Sequence, residues 1–391
     1  MKYIKLKELV TINPENINKN YPYNGIKYLD TANITNGKID TIVDINIKDI
    51  PSRAKRIVKQ NDIVYSTVRP NLCHYGLLRD VEENLIVSTG FVVIRCNLDK
   101  VLPEYLYAYL TLPEITIKLH SIAETSTSAY PSIKPSDIEN LEIPLPTIEE
   151  QKRISKILSV LDLKMNLNTK TNDNLSEIIE RMFINFLEKH NEELVTLEDA
   201  VKKIGTGADA IQRAPIVEYD TGIRCIRVGD MTNSRNRYEW GFTEMTEKDF
   251  DNYKLDIGDI VVTRTAVNGL SYMIEDDMKV VCNNGLIRMK VNEKYNPMFI
   301  YLYLKTKDFN EYVHRIDGET SVRPNMKVNY FTSYKIMKIS KEEQDEICNR
   351  LLPLRNKQKQ IIEENNTLTQ LRDTLLPKLM NGEIDLDKIE I

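Results

Sequence analysis

Two eight-residue stretches put hydroxyls, a proline and a lysine at the same places in the chain. They read TSAYPSIK (127–134) and TSVRPNMK (320–327), 193 residues apart. Thr127, Ser128 and Lys134 in the first, and Thr320, Ser321 and Lys327 in the second, are residue types that bind phosphate oxygens. Small hydroxyls donate from a proline-fixed loop, and the ammonium adds charge. Tyr130 and Arg323 occupy one equivalent place and differ, which suits a contact that varies between the two copies. A hydroxyl-capped loop leading into a strand would use the same residues. Other cations cluster nearby. The run RAKRIVK (53–59) supplies Arg53, Lys55 and Arg56 and is the densest basic cluster of the first half. Its counterpart role in the second half falls to Arg224, Arg227, Arg235 and Arg237, unless both clusters are only a solvated surface. Arg69 and Arg264 follow two apolar runs that begin Asp-Ile-Val, at loop positions from which a guanidinium reaches a nucleic-acid groove. Arginine is the commonest reader of guanine edges.

Catalytic chemistry is not written into the chain. There is no G-x-x-x-x-G-K-[ST] phosphate loop, so nucleotide hydrolysis is not expected. The stretch GTGADA from Gly205 lacks the third glycine of a dinucleotide loop and reads as a turn. The stretch NPMF (296–299) is superficially like a methyltransferase Asn-Pro-Pro-aromatic loop, but Met298 breaks that pattern. The four histidines (74, 120, 190 and 314) are isolated, and no paired acids accompany a lysine as a nuclease requires. No catalytic residue and no metal site are therefore expected. The five cysteines are scattered, odd in number and without a C-x-x-C, as reduced cytoplasmic thiols would be. No apolar run approaches the roughly eighteen residues of a membrane helix, and MKYIKLKELVTINPEN turns polar too soon for a signal peptide. The net charge of −5 gives no bulk support for nucleic-acid binding, which depends on local clusters.

The elements that must hold these residues are themselves written twice. The junction IPLPTIEEQKRISKIL (143–158) recurs as IMKISKEEQDEICNRL (336–351), again 193 residues later. GIKYLDTANI (25–34) faces GIRCIRVGDM (222–231), and NDIVYSTVRP (61–70) faces GDIVVTRTAV (258–267), both offset by 197. Short β-branched and aromatic runs between polar turns predict strands. Pro103 and Pro297 sit where helices start. Each half reads as α+β. Two segments carry a heptad seam. In the first, Ile154, Leu158, Leu161 and Leu175 lie on it with Asn172; in the second, Ile347, Leu351, Leu354 and Leu368 lie on it with Asn365. Apolar residues spaced alternately four and three predict a coiled coil, and Pro353 weakens the second helix. The expected architecture is two pseudo-symmetric globular domains, 1–146 and 191–340, separated by two long helices, 147–190 and 341–391, that form an antiparallel coiled coil. Asn172 and Asn365 are expected to face each other at its centre.

With these features in hand, the chain resembles the specificity subunits of type I restriction–modification systems. The resemblance rests on IPLPTIEEQKRISKILSVLD, ISKEEQDEI, the paired Thr-Ser-Pro-Lys loops and the ending TLLPKLMNGEI (374–384). It implies two target-recognition domains, each reading one half of a split site on double-stranded DNA. It also implies helices that dock two adenine methyltransferase subunits, and through them a motor-nuclease restriction subunit. S-adenosylmethionine, ATP and Mg²⁺ would belong to those partners, with no cofactor in this chain. A specificity subunit of a methylase-only or fused-nuclease, type II-like system, or a coiled-coil scaffold without a DNA role, are the alternatives. The target sequence and the spacer length are not legible in these residues.

Overall fold

The computed structural model describes residues 2–18, 20–126, 130–190, 193–319 and 325–386. It divides into two units. Residues 1–166 and 367–391 form the first, and residues 167–366 the second. Each unit holds a globular head and a piece of both long helices, Ile148–Leu187 and Lys341–Met380.

The apolar runs of the sequence become a central sheet buried on both faces. In the first unit its strand order is Val10–Ile12, Phe91–Cys96, Ile63–Ser66, Tyr75–Leu77, and all neighbours are antiparallel. Successive side chains point to opposite faces of a strand. Ile63 and Tyr65 therefore pack with the helices, while Val64 packs toward a second sheet. The second unit repeats this with Val201–Thr206, Leu286–Val291, Ile260–Thr263, Ser271–Met273. There Ile260 and Val262 face the helices and Val261 faces the other way. A sheet covered on both sides selects unbroken apolar runs, as in Ile63–Tyr65, Phe91–Ile94 and Ile260–Val262, whereas the edge strand Val201–Thr206 carries Lys202 and Lys203.

The second sheet of each head is built on a parallel pair, Gly25–Leu29 with Leu85–Ser88 and Arg224–Ile226 with Val280–Cys282. The heads differ in what flanks that pair. The first adds Val43–Asn46 and Ala54–Ile57; the second adds Phe242–Thr243 and Ile216–Val217. The start and end of each head are tied by a short antiparallel ladder, Ile4 opposite Ile143 and Val195 opposite Ile336.

The duplicated Glu-Gln pair now has a physical reason. Glu150 accepts from the backbone N–H and hydroxyl of Thr147 (2.8 and 2.7 Å), a capping box at the helix start. Ser340 does the same for Glu343 through its hydroxyl, at 2.5 Å. The next residue turns inward. Gln151 is fully buried; its Oε1 accepts from Leu102 N–H (2.8 Å) and its Nε2 donates to the Pro146 and Lys100 carbonyls (both 3.1 Å). Gln344 repeats the arrangement, accepting from Asn296 N–H (2.8 Å) and donating to the Ile339 carbonyl (2.7 Å). One amide thus pins the long helix to the first turn of the helix that begins at Pro103 or Pro297.

Within each unit the two helix segments run antiparallel. In the first, Thr369 meets Met165 and Arg372 meets Asp162 (3.7 Å). In the second, Gln358 donates to Ser176 (2.8 Å), and Asn168 donates to Asn365 (2.8 Å) and Glu364 (2.9 Å). Ile154, Leu158, Ile347 and Leu351 are buried. Leu161, Leu175, Leu354 and Leu368 are half-buried. The second helix is unbroken through Pro353, whose side is exposed. The partner of Asn365 is Asn168, not Asn172. In antiparallel packing a residue ahead of one helix midpoint meets a residue beyond the other's, so repeat-equivalent residues do not face each other unless they lie at the centre. Asn172 Oδ1 is buried without a hydrogen-bond partner among the described residues.

Replacing Gln344 by Leu leaves the Asn296 N–H and the Ile339 carbonyl buried without the amide. Urea unfolding of the full chain should show the second unit destabilised by roughly 2–4 kcal/mol. Gln151→Leu should do the same to the first unit.

Candidate nucleic-acid interface

The loop that leaves the central strand Ile63–Ser66 is clamped to the segment carrying the Thr-Ser-Pro-Lys motif. Ile133 N–H donates to the Thr67 carbonyl (2.9 Å), Arg69 N–H to the Pro131 carbonyl (2.9 Å), and Val68 pairs with Ser132 in an isolated antiparallel bridge. The second head builds the same clamp. Met326 N–H donates to the Arg264 carbonyl (2.8 Å), and Thr265 bridges Asn325. Both clamps lean on a glycine. Thr67 N–H donates to the Gly90 carbonyl and Arg264 N–H to the Gly285 carbonyl. A Cβ on Gly285 would lie 2.7 Å from Val228 Cγ2, and one on Gly90 would lie 2.9 Å from Thr31 Cγ2. Any larger residue at either place would have to displace these methyl groups.

The clamp holds one residue of each loop in the left-handed region. Arg69 has φ +49° and Ala266 has φ +65°. These are equivalent positions of the repeat and neither is glycine. Such strain persists only where the surroundings over-determine it, and it clusters at binding sites. Arg69 is exposed, and its guanidinium lies 5.2 Å from the centre of the exposed Tyr130 ring. The structure therefore pairs Arg69 with Ala266, and Arg264 with Thr67.

Arg264 does a different task from the groove reading expected of it. Its Nε donates to the Met326 carbonyl (3.3 Å), its Nη1 to the Asn284 carbonyl (3.2 Å) and its Nη2 to Asn325 Oδ1 (2.8 Å). All three partners belong to the clamp, so the guanidinium holds loops together. Arg227 is likewise occupied, donating to the Cys225 (3.0 Å) and Phe242 (3.3 Å) carbonyls. Arg224 donates to the Trp240 carbonyl and lies over the Phe242 ring. Arg235 pairs with Asp230 (3.2 Å), and the nearly buried Arg237 with Asp276 (3.0 Å). Arg224, Arg227 and Arg237 are thus structural, and of the four second-half arginines Arg235 alone is exposed.

That first-half cluster is mixed. Arg53 and Lys55 are exposed around the strand Ala54–Ile57. Arg56 is half-buried and donates to Asn16 (3.1 Å), and burial lowers its pKa. Lys59 pairs with Glu15, whose carboxyl is held low by hydrogen bonds from Lys59 and Arg95. Lys134 and Lys327 sit at the N-cap positions of the short helices Pro135–Glu139 and Val328–Thr332, with exposed side chains at equivalent places. Thr127, Ser128, Thr320, Ser321 and Arg323 lie outside the described residues.

Burial pushes the Cys225 thiol up to about 11 and those of Cys96 and Cys348 up to about 12. Among the described residues no cluster of three or more His, Cys, Asp or Glu could hold a metal, and no helix is long and apolar enough to cross a membrane. The clamp, the left-handed residue and the buried glutamine were not foreseen. The Gly90–Gly285 and Gln151–Gln344 identities in the repeat are the signals that would have found two of them.

The chain is similar to known proteins. The model of the type I restriction modification DNA specificity domain matches residues 1–177 and again 193–370. The specificity subunit of the type I restriction enzyme HindI of Haemophilus influenzae is 27% identical over 450 residues, covering 94% of this chain and 97% of its own. The MjaIX specificity subunit of Methanocaldococcus jannaschii is 26% identical, covering 88% and 83%. Among solved structures, the S subunit from M. genitalium aligns with a TM-score of 0.49 at 16% identity, over 97% and 96% of the chains. The HsdS subunit from Thermoanaerobacter tengcongensis aligns with a TM-score of 0.43 at 19% identity, over 98% and 97%. With the domain model matched once in each half, over most of its length, the chain belongs to the family of type I restriction–modification DNA specificity subunits.

Proposed function

We propose that this chain reads a bipartite site on double-stranded DNA. Its two heads, residues 1–146 and 191–340, each contact one half-site, and its helical segments, 147–190 and 341–391, scaffold adenine methyltransferase subunits and a motor-nuclease. The observation that carries this reading is the duplicated clamp. In both heads it presents an exposed lysine, Lys134 or Lys327, beside a loop held in a left-handed conformation. Lysine contacts to phosphate fix register without carrying sequence information, whereas a guanidinium on a base edge discriminates. In the first head Arg69, steadied against Tyr130, is the reader. In the second head the equivalent place is Ala266, so a different side chain of that loop system reads the base. The chain itself transfers no group; S-adenosylmethionine, ATP and Mg²⁺ are bound by its partners.

Three measurements test this. The purified chain, incubated with labelled S-adenosylmethionine and DNA, should transfer no methyl group until a methyltransferase partner is added. Lys134→Ala and Lys327→Ala should weaken binding equally on cognate and random duplex, each lowering the slope of log affinity against log salt by about one unit. Titration at several salt concentrations reads this directly, and a change confined to one half-site would reassign the lysine to base reading. Arg69→Ala should relax discrimination at one half-site by roughly 5- to 100-fold and leave the other unchanged. Sequencing of methylated sites in cells carrying the variant separates these outcomes.

A further inference from the structure

In the second unit the turn after the strand Ser271–Met273 is acidic, and the helix beneath it is basic. Arg355 Nη2 donates to Glu275 Oε1 (2.9 Å), while the same guanidinium lies over the Tyr301 ring at 5.2 Å. Asp276 takes Arg237 (3.0 Å) and Lys359, and Arg237 also donates to Glu363 (2.8 Å). The Arg355 side chain is 17% exposed and that of Arg237 only 7%. These ions have left water for one another, so each depends on its partner.

The first unit carries the Glu275 and Arg355 positions with the signs reversed, while Asp80 keeps the sign of Asp276. Hairpin register fixes the equivalence. Leu77 pairs with Ile63 as Met273 pairs with Ile260, and Leu78 N–H donates to the Asp62 carbonyl as Ile274 N–H donates to that of Asp259. The residue after Leu78 is Arg79, where the second unit has Glu275. On the helix, Asp162 stands where the second unit has Arg355, 193 residues on. Burial raises the Asp162 carboxyl, and the charges of Arg372 and Arg79 oppose that rise. The neighbouring aromatic is retained: Tyr107 lies in the field of Asp162, Arg372 and Arg79, as Tyr301 lies under Arg355.

We propose that these reversed charges are a key that matches each head to its own helix and makes the two heads non-interchangeable. Glu275 on Arg355 is the ion pair of the second head (2.9 Å); the first head carries Arg79 and its helix Asp162 at the equivalent places, and there Asp162 is paired with Arg372 (3.7 Å). A copy of the second head placed before the first helix sets Glu275 against Asp162. A copy of the first head placed before the second helix sets Arg79 against Arg355. The order of the heads along the chain, and with it the order of the two half-sites, is therefore written into helix residues that touch no DNA. Glu275 and Arg355 are positioning residues. The statement about half-sites rests on the DNA-reading function proposed above; the statement about heads and helices does not.

The test uses the full chain with Glu275→Arg, Arg355→Glu and both together. Each single change should lower the melting temperature of the second unit by roughly 5–10 °C, since it sets like charges together in a partly dry site. The double reversal should regain more than half of the loss. A double variant no better than the worse single one overturns the key. A second arm replaces residues 1–146 by a copy of residues 191–340, with the copy carrying either Glu275 or Arg at that place. The arginine form should melt higher and, with a methyltransferase partner, modify a symmetric site at least about fivefold more. Equal behaviour of the two forms overturns the proposal. If neither form folds, the double reversal decides alone. Should the wild-type complex modify no DNA, the DNA-reading function fails while the melting comparison still judges the key.

Discussion

Each unit depends on one buried amide. Gln151 and Gln344 have no contact with solvent, and each satisfies one backbone donor and at least one backbone acceptor that the fold has removed from water. Leaving such groups unpaired costs more than any single surface contact returns. The glutamine therefore sets where the long helix starts relative to the head. The capping glutamate beside it closes the first turn, and the strand ladder before it, Ile143 against Ile4 or Ile336 against Val195, brings the chain to that point. This is why the run Glu149-Glu150-Gln151 recurs unchanged as Glu342-Glu343-Gln344.

From that anchor the order of the head follows outward. The long helix packs on one face of the central sheet, and the second sheet covers the other face. A strand buried on both faces can expose function only beyond its ends. The loops after Ile63–Ser66 and Ile260–Thr263 are those ends, and the bridge to Ser132 or Asn325 keeps them from collapsing. The left-handed Arg69 and Ala266 store strain that the clamp over-determines. Loop sequence is then free to differ between heads while loop geometry stays the same.

Charge is organised on the same plan. An acidic chain can still present cations to DNA if its acids are engaged elsewhere, and many are. Glu15, Asp62, Glu275 and Asp276 each hold an arginine or lysine of their own unit. Equally, several arginines that look available along the chain are tied to carbonyls. The exposed Lys134, Lys327, Arg53 and Lys55 remain at the surface. Net charge says little about such a protein, because solvent screening largely cancels charges farther than about 10 Å away and leaves only local clusters effective.

The sequence by itself determined the duplication, the strands, the two helices and their seam. The helices and their seam are periodic and the strands are short apolar runs, both properties of neighbours along the chain, while the duplication is a match of residue types at one long offset. Glu150 and Gln151 repeating at Glu343 and Gln344 marked the junction without telling what the glutamine binds. Only the tertiary structure decided which arginines are engaged. Arg264 and Arg69 look alike after their strands, yet one is consumed by Met326, Asn284 and Asn325 while the other stacks on Tyr130. It also moved the central asparagine contact by one turn, to Asn168 with Asn365. In each case the partner lies tens to hundreds of residues away, and a side chain's hydrogen bonds are set by what packing brings to it rather than by its neighbours in sequence.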